Sequence, residues 1–218
     1  MVRRIIQIAI GLFFYGAGIS FLIRSDLGAS SWDVLTQGIS HHVPLSFGTI
    51  TIIISGVVLL LWSPIKQKPG IGTILNAVLI GPSADICLAI LPEVHTMWLR
   101  VAFVALGIIT VGMATGLYIG SRFGPGPRDG LMTGLNKLTG YAIWKVRLAI
   151  ELVVLAIGWM LGGTVGIGTV AFAVFIGYVC QFSMPLFNII LPSDRPVGPV
   201  ADDIDEAELR SQESPARI

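Results

Sequence analysis

Asp33 lies in GASSWDVLTQG (28–38) and Asp129 in GPGPRDGLMTG (124–134), each three positions after a residue suited to starting a helix. Ser30 can cap the first helix with its hydroxyl, and Asp33 stands where a carboxylate reaches back to the cap amide. In the second stretch Gly126 takes the cap place, Pro127 the first helical position, where its missing N–H costs nothing, and Asp129 the third. Satisfying backbone donors and facing the helix dipole accounts for both aspartates without any ligand. The same geometry also does chemistry when a short helix begins inside a membrane protein, because its unpaired N–H groups then point inward and attract anions. Arg128 adds a planar fork of donors suited to carboxylate or phosphate, and at the matching position Trp32 offers a flat amphipathic ring.

Further ionisable and polar groups stand in apolar runs. Glu151, in AIELVVLAIG, needs a partner or contact with water at that depth. Arg147 lies one turn earlier on the same helix face and can pair with it; a role for Glu151 in solute or proton handling is the alternative. Asp85 and Asn76, in PGIGTILNAVLIGPSADICLAIL, are buried polar candidates that either bind a solute or tie helices together. The residue matching Glu151 in the first half is Ser55, and the one matching Asp85 in the second is Gln181. Gly70-Ile71-Gly72-Thr73 and Gly166-Ile167-Gly168-Thr169 read best as close helix packing. His41 and His42 have no Cys or carboxylate at ligand spacing, and Cys87 and Cys180 sit in apolar runs as small hydrophobes. No catalytic group, metal site or cofactor is expected, and nothing argues for an enzyme.

The elements that hold these residues follow from composition. The 218 residues are 54% hydrophobic and 12% charged, with a mean hydropathy of +0.82. A soluble surface cannot be built from that composition, and no basic tract offers a nucleic-acid footprint. Six apolar stretches approach the roughly 20 residues a bilayer requires, at about 5–23, 46–62, 70–91, 97–119, 142–161 and 166–191. Long loops join only the first span to the second and the fourth to the fifth, each predicted to hold a short helix. Shifting the sequence by 96 positions superposes those loops without a gap, and at the same shift Gly16 meets Gly112 and Ile80-Gly81 meets Ile176-Gly177. The predicted fold is therefore an all-α membrane protein with six transmembrane helices, repeated as about 5–95 and 97–191. Three spans per half require the second half to be inverted.

Charge agrees with that topology. With the N-terminus inside, Arg3, Arg4, Lys66, Lys68, Arg122, Arg128, Lys137, Lys145 and Arg147 are cytoplasmic, and only Arg24 and Arg100 are outside. Seven of the thirteen acidic residues follow Leu191, so residues 192–218 are expected to be a disordered acidic cytoplasmic tail after a transmembrane domain of 1–191.

Through SDLGASSWDVL, PGIGTILNAVLIGP, GPGPRDGLMTGL and GGTVGIGTVAFAVFIG, over roughly residues 10–190, the chain resembles the YczE branch of the bacterial YczE/YyaS/YitT membrane protein group. The second half departs in having Tyr178 where the first has Pro82. The resemblance implies a bacterial cytoplasmic-membrane protein and carries over no binding or catalytic residue.

Taken together, the residues point to a small permease or exporter for an anionic or zwitterionic solute. Its substrate-binding candidates are Trp32, Asp33, Asn76, Asp85, Arg128, Asp129 and Glu151. The alternative is a non-transporting membrane scaffold or accessory factor for a biosynthetic enzyme or larger transport complex. The expected partners are the lipid bilayer and a small polar solute, with a homodimer admissible and no nucleic acid.

Overall fold

A computed structural model of the chain describes residues 2–187; the expected tail and the last residues of the sixth predicted span lie outside the described residues. Among them are eight helices and no strand: α1 (Val2–Ser25), α2 (Ser31–Ser40), α3 (Phe47–Leu60), α4 (Ile71–Ile90), α5 (Met97–Gly120), α6 (Pro127–Thr139), α7 (Ile143–Met160) and α8 (Ile167–Phe187). Four of these, α1, α4, α5 and α8, are long and apolar enough to cross a membrane. The second and fifth predicted spans form as helices but fall short of that measure. α3 has 14 residues, and α7 carries Lys145, Arg147 and Glu151 within 18. Large side chains on the outer faces, among them Phe14, Ile53, Val101 and Trp159, are exposed, a surface suited to lipid and not to water.

Both predicted short helices are present as α2 and α6, with the expected caps at Ser30 and Gly126 and Pro127 at the first turn. The starts of α2, α3 and α4 recur 96 residues later as those of α6, α7 and α8. The loops before α2 and α6 share their backbone too. Asp26 and Arg122 are left-handed (φ 53° and 56°), and Gly28 and Gly124 have φ 105° and 120°, which a side chain would resist.

At the centre α1 packs along α5. A Cβ on Gly11 would lie 2.9 Å from the Tyr118 amide and one on Gly18 2.8 Å from that of Val111, so the two helices run antiparallel at backbone contact. Arg4 closes one end, its Nε donating to the Ser121 carbonyl at 2.8 Å and its Nη2 to that of Arg122 at 2.9 Å.

Around this pair the contacts are reciprocal. The Gly72 amide donates to the Phe123 carbonyl at 3.0 Å, and the Gly168 amide, 96 residues on, donates to Leu27 at 2.7 Å. The glycine-threonine stretches thus do what their packing reading predicts. Thr73 Oγ1 accepts from the Gly70 amide at 3.1 Å and donates to Pro125 at 2.7 Å. α2 lies on α7 and α6 on α3, with sizes exchanged: Val34 meets Gly158 in one interface, and Gly130 meets the Trp62 ring in the other. Trp62 Nε1 donates to the Pro127 carbonyl at 3.0 Å, so this fully buried ring keeps no orphan donor.

One pair of contacts is not reciprocal. α3 packs along α4, with Gly48 and Gly81 so close that a Cβ on either would overlap the other's carbonyl. Asp85 fastens them: its Oδ2 accepts from Ser46 Oγ at 2.6 Å and its Oδ1 from the Gly48 amide at 2.8 Å. Asp85 is therefore the fastening of the α3 start and not a wall of the cavities described below. In the second half Ser46, Gly48 and Asp85 are matched by Ala142, Trp144 and Gln181. Gly177, the match of Gly81, has nothing within 4 Å of its would-be Cβ, and a cleft separates α7 from α8.

Candidate functional site

The starts of α2 and α6 bring the two aspartates to the middle of the molecule. Ser30 Oγ donates to Asp33 Oδ2, and the Asp33 amide donates back to Ser30 Oγ at 3.4 Å. The carboxylate thus bonds the capping hydroxyl and not the cap amide that the capping pattern predicts. Asp33 is 2% exposed, and its Oδ1 has no hydrogen-bond partner. The cation facing it is Arg128, with Nη1 at 3.9 Å. A buried carboxylate with one oxygen unbonded is costly, and the guanidinium across the gap offsets that cost.

Arg128 is held from a second direction by Trp32, whose ring centroid is 5.1 Å from Cζ, a distance at which the ring quadrupole attracts the cation. Trp32 Nε1 is itself buried without a partner. Residues that occupy matching positions in the two halves, Trp32 and Arg128, therefore meet at the molecular centre. Asp129 turns the other way and accepts from Tyr118 Oη at 2.7 Å, again in place of its own cap amide. Tyr118 packs edge-on against Tyr15, centroids 6.1 Å apart.

Two cavities meet at this group. A small one, with about 50 Å³ open to water-sized molecules, is lined by Tyr15, Thr51, Ser55, Asn76, Arg128 and Asp129 among others. A larger one, about 170 Å³, shares Tyr15, Tyr118, Arg128 and Asp129 with it and runs on to Trp32, Arg147 and Glu151. Either has room for water or a small polar group, since one water needs about 10–15 Å³ of such space. Beyond them the α7–α8 cleft, about 390 Å³, shares Ser30, Arg147, Glu151, Phe172 and Ile176 with the second cavity. The small cavity and the cleft stand on matching residues, Thr51 and Ser55 of α3 against Arg147 and Glu151 of α7.

Six of the seven candidates therefore gather here: Trp32, Asp33, Asn76, Arg128, Asp129 and Glu151. Asp85 does not. The ion pair open to Arg147 and Glu151 is not formed, and among the described residues neither makes an ion pair or hydrogen bond. Both face the cavities, which makes Arg147 a site residue and not only the partner that its spacing from Glu151 suggests. Tyr15 and Tyr118 also line both cavities, and no local pattern marks them. Each is an amphipathic ring in an apolar helix, and only the antiparallel crossing of α1 and α5 brings their hydroxyl ends to one place. Among the described residues no cluster of His, Cys, Asp and Glu could hold a metal ion. His42 Nε2 lies 3.1 Å from the Leu161 carbonyl, across the α2–α7 interface.

The comparisons with known proteins bear on family and not on chemistry. No solved structure matches the chain. An uncharacterized protein of Haemophilus influenzae is 39% identical over 179 residues, covering 82% of this chain and 81% of that one. The uncharacterized membrane protein YczE of Bacillus subtilis is 34% identical over 177 residues, 80% of this chain and 82% of that one. YyaS of the same organism, also described as uncharacterized, is 26% identical over 182 residues, 81% and 90% of the two chains. The model of a family of unknown function, DUF6198, matches residues 2–185. The chain thus belongs to DUF6198 and is a YczE-like membrane protein.

Proposed function

We propose that the protein is a permease or exporter that moves a small anionic or zwitterionic solute past Arg128. The observation that carries this reading is the placement of Arg128, between a buried carboxylate with a free oxygen and the face of Trp32, where two cavities meet. A guanidinium so placed can exchange its weak hold on Asp33 for a bidentate hold on a carboxylate or phosphate.

In this reading the halves are inverted three-span repeats in a bacterial cytoplasmic membrane, with both termini cytoplasmic. The antiparallel α1 and α5, which are matching helices, and the reciprocal Gly72–Phe123 and Gly168–Leu27 bonds support the inversion. α3 and α7 then serve as the second and fifth spans, and the bilayer thins locally around their shorter apolar lengths. The closed α3–α4 contact and the open α7–α8 cleft are the two ends of one cycle, in which the halves exchange roles and the solute is exposed to each side in turn. Glu151, which lines the second cavity and has no side-chain partner among the described residues, couples the exchange to protons.

Proteoliposomes loaded with a panel of radiolabelled amino acids, phosphocholine and small carboxylates test the proposal. At least one solute should leave faster than from empty liposomes, Arg128→Ala should slow it at least tenfold, and Glu151→Gln should abolish its response to a pH gradient. A panel that leaks at the protein-free rate, or flux indifferent to Arg128→Ala, overturns it.

A further inference from the structure

The α7–α8 cleft differs in chemistry from the polar cavities it joins. Leu148, Leu152 and Leu155 of α7 and Phe172 and Ile176 of α8 line it together with Arg147, Glu151, Ser30 and Ser31, and Arg147, Glu151 and Ser30 also line the second cavity. A channel for a small hydrophilic solute has no use for an apolar slot open between two helices. Bilayer lipid alone would fill such a slot, but an arginine near the cytoplasmic start of α7 and a glutamate one turn deeper, neither with a side-chain partner among the described residues, are costly to leave against acyl chains.

We propose that this cleft binds a single-chain zwitterionic amphiphile drawn sideways from the bilayer. Its anionic group lies on Arg147, its cationic group on Glu151, and its chain along Leu148, Leu152 and Phe172. Four residues, a rise of about 6 Å, separate the two charged positions along α7, a spacing that suits a compact zwitterionic head. The head then reaches Arg128 through the cavity that Arg147 and Glu151 also line. The cleft exists because the second half has Trp144 and Gln181 where Gly48 and Asp85 fasten the first. The inference deepens the transport reading by naming its substrate class and rests on that reading only for the passage to Arg128.

The probe is a lysophosphatidylcholine with a diazirine in its acyl chain, photoactivated with the full-length protein in phosphatidylcholine nanodiscs and mapped by mass spectrometry. Labelling is expected on Leu148, Leu152 and Phe172, saturating with probe and displaced by dodecylphosphocholine but not by phosphocholine. Arg147→Ala, Glu151→Gln and Ala173→Trp, the last filling the slot, should each lower it at least fivefold. Labelling spread evenly over all lipid-facing helices, or unchanged in all three variants, overturns the inference. So does a disulfide-linked dimer forming readily through Trp144→Cys, which would mean that a second copy covers the cleft. If the chain probe fails while phosphocholine flux still depends on Arg128, the cleft assignment falls and the transport reading stands. Saturable cleft labelling with flux indifferent to Arg128 is the converse.

Discussion

At the scale of single residues the molecule depends on how Asp33 is compensated. Its unbonded oxygen is buried, Arg128 is the cation within 4 Å, and the guanidinium needs no hydrogen bond to serve. Removing that cation leaves an uncompensated buried carboxylate, a loss of about 3 kcal/mol. Arg128→Ala should therefore lower thermal stability in detergent clearly, whereas Arg128→Ala combined with Asp33→Asn should regain most of it. The double-mutant cycle reads the coupling directly, and additive losses would mean that the two side chains do not sense each other. Tyr118→Phe is milder, because Asp129 loses one donor and can turn to water in the adjoining cavity. Its cost should be about 1 kcal/mol, with a larger effect on solute flux than on melting.

At the scale of elements the two halves make opposite predictions for matching glycines. A methyl group on Gly81 would run into the Gly48 backbone, while one on Gly177 meets open space. Gly81→Ala should destabilise by about 1–3 kcal/mol through overpacking, and Gly177→Ala should be neutral or stabilising by up to about 1 kcal/mol through helix propensity. Melting of the two variants side by side checks the asymmetry, and equal effects would remove it. The helices themselves were legible in the sequence. Ser30, Pro127 and the apolar lengths fixed where α2, α6 and the spans begin, because caps and hydrophobic runs are local. The partner of each polar group was not legible. Asp85 stands in an apolar run as a cavity residue would, and only the fold brings Ser46 and Gly48, 37 and more residues away, beside it. Arg147 and Glu151 satisfied the one-turn spacing of an ion pair, yet their side chains turn toward the cavities. Spacing along one helix says which side chains can meet, and only packing between helices says which do.

At the scale of the whole molecule the repeat and the break in its symmetry belong to one argument. If the halves are inverted, the exposed residues His42, just after α2, and Leu138, in the last turn of α6, which stand at matching positions, lie on opposite sides of the membrane. His42→Cys should then react with an impermeant maleimide from outside and Leu138→Cys only after the membrane is opened. A cycle between two mirrored states also requires the α3–α4 contact to open at times. Thr51, 2% exposed, sits in the closed half where Arg147 sits in the open one, so it reports that opening. Thr51→Cys should react slowly and Arg147→Cys quickly in the wild-type background. Asp85→Ala removes both hydrogen bonds that hold the α3 start, a loss of about 1–2 kcal/mol on the scale of a helix cap. By population shift that changes the open fraction roughly tenfold, and Thr51→Cys should react faster by a similar factor. The same variant should slow Arg147→Cys, because in one cycle the α7–α8 cleft closes as the α3–α4 contact parts. If Thr51→Cys speeds up while Arg147→Cys is unaffected, the two gates are independent, and the protein is a channel with two separate mouths and not a carrier.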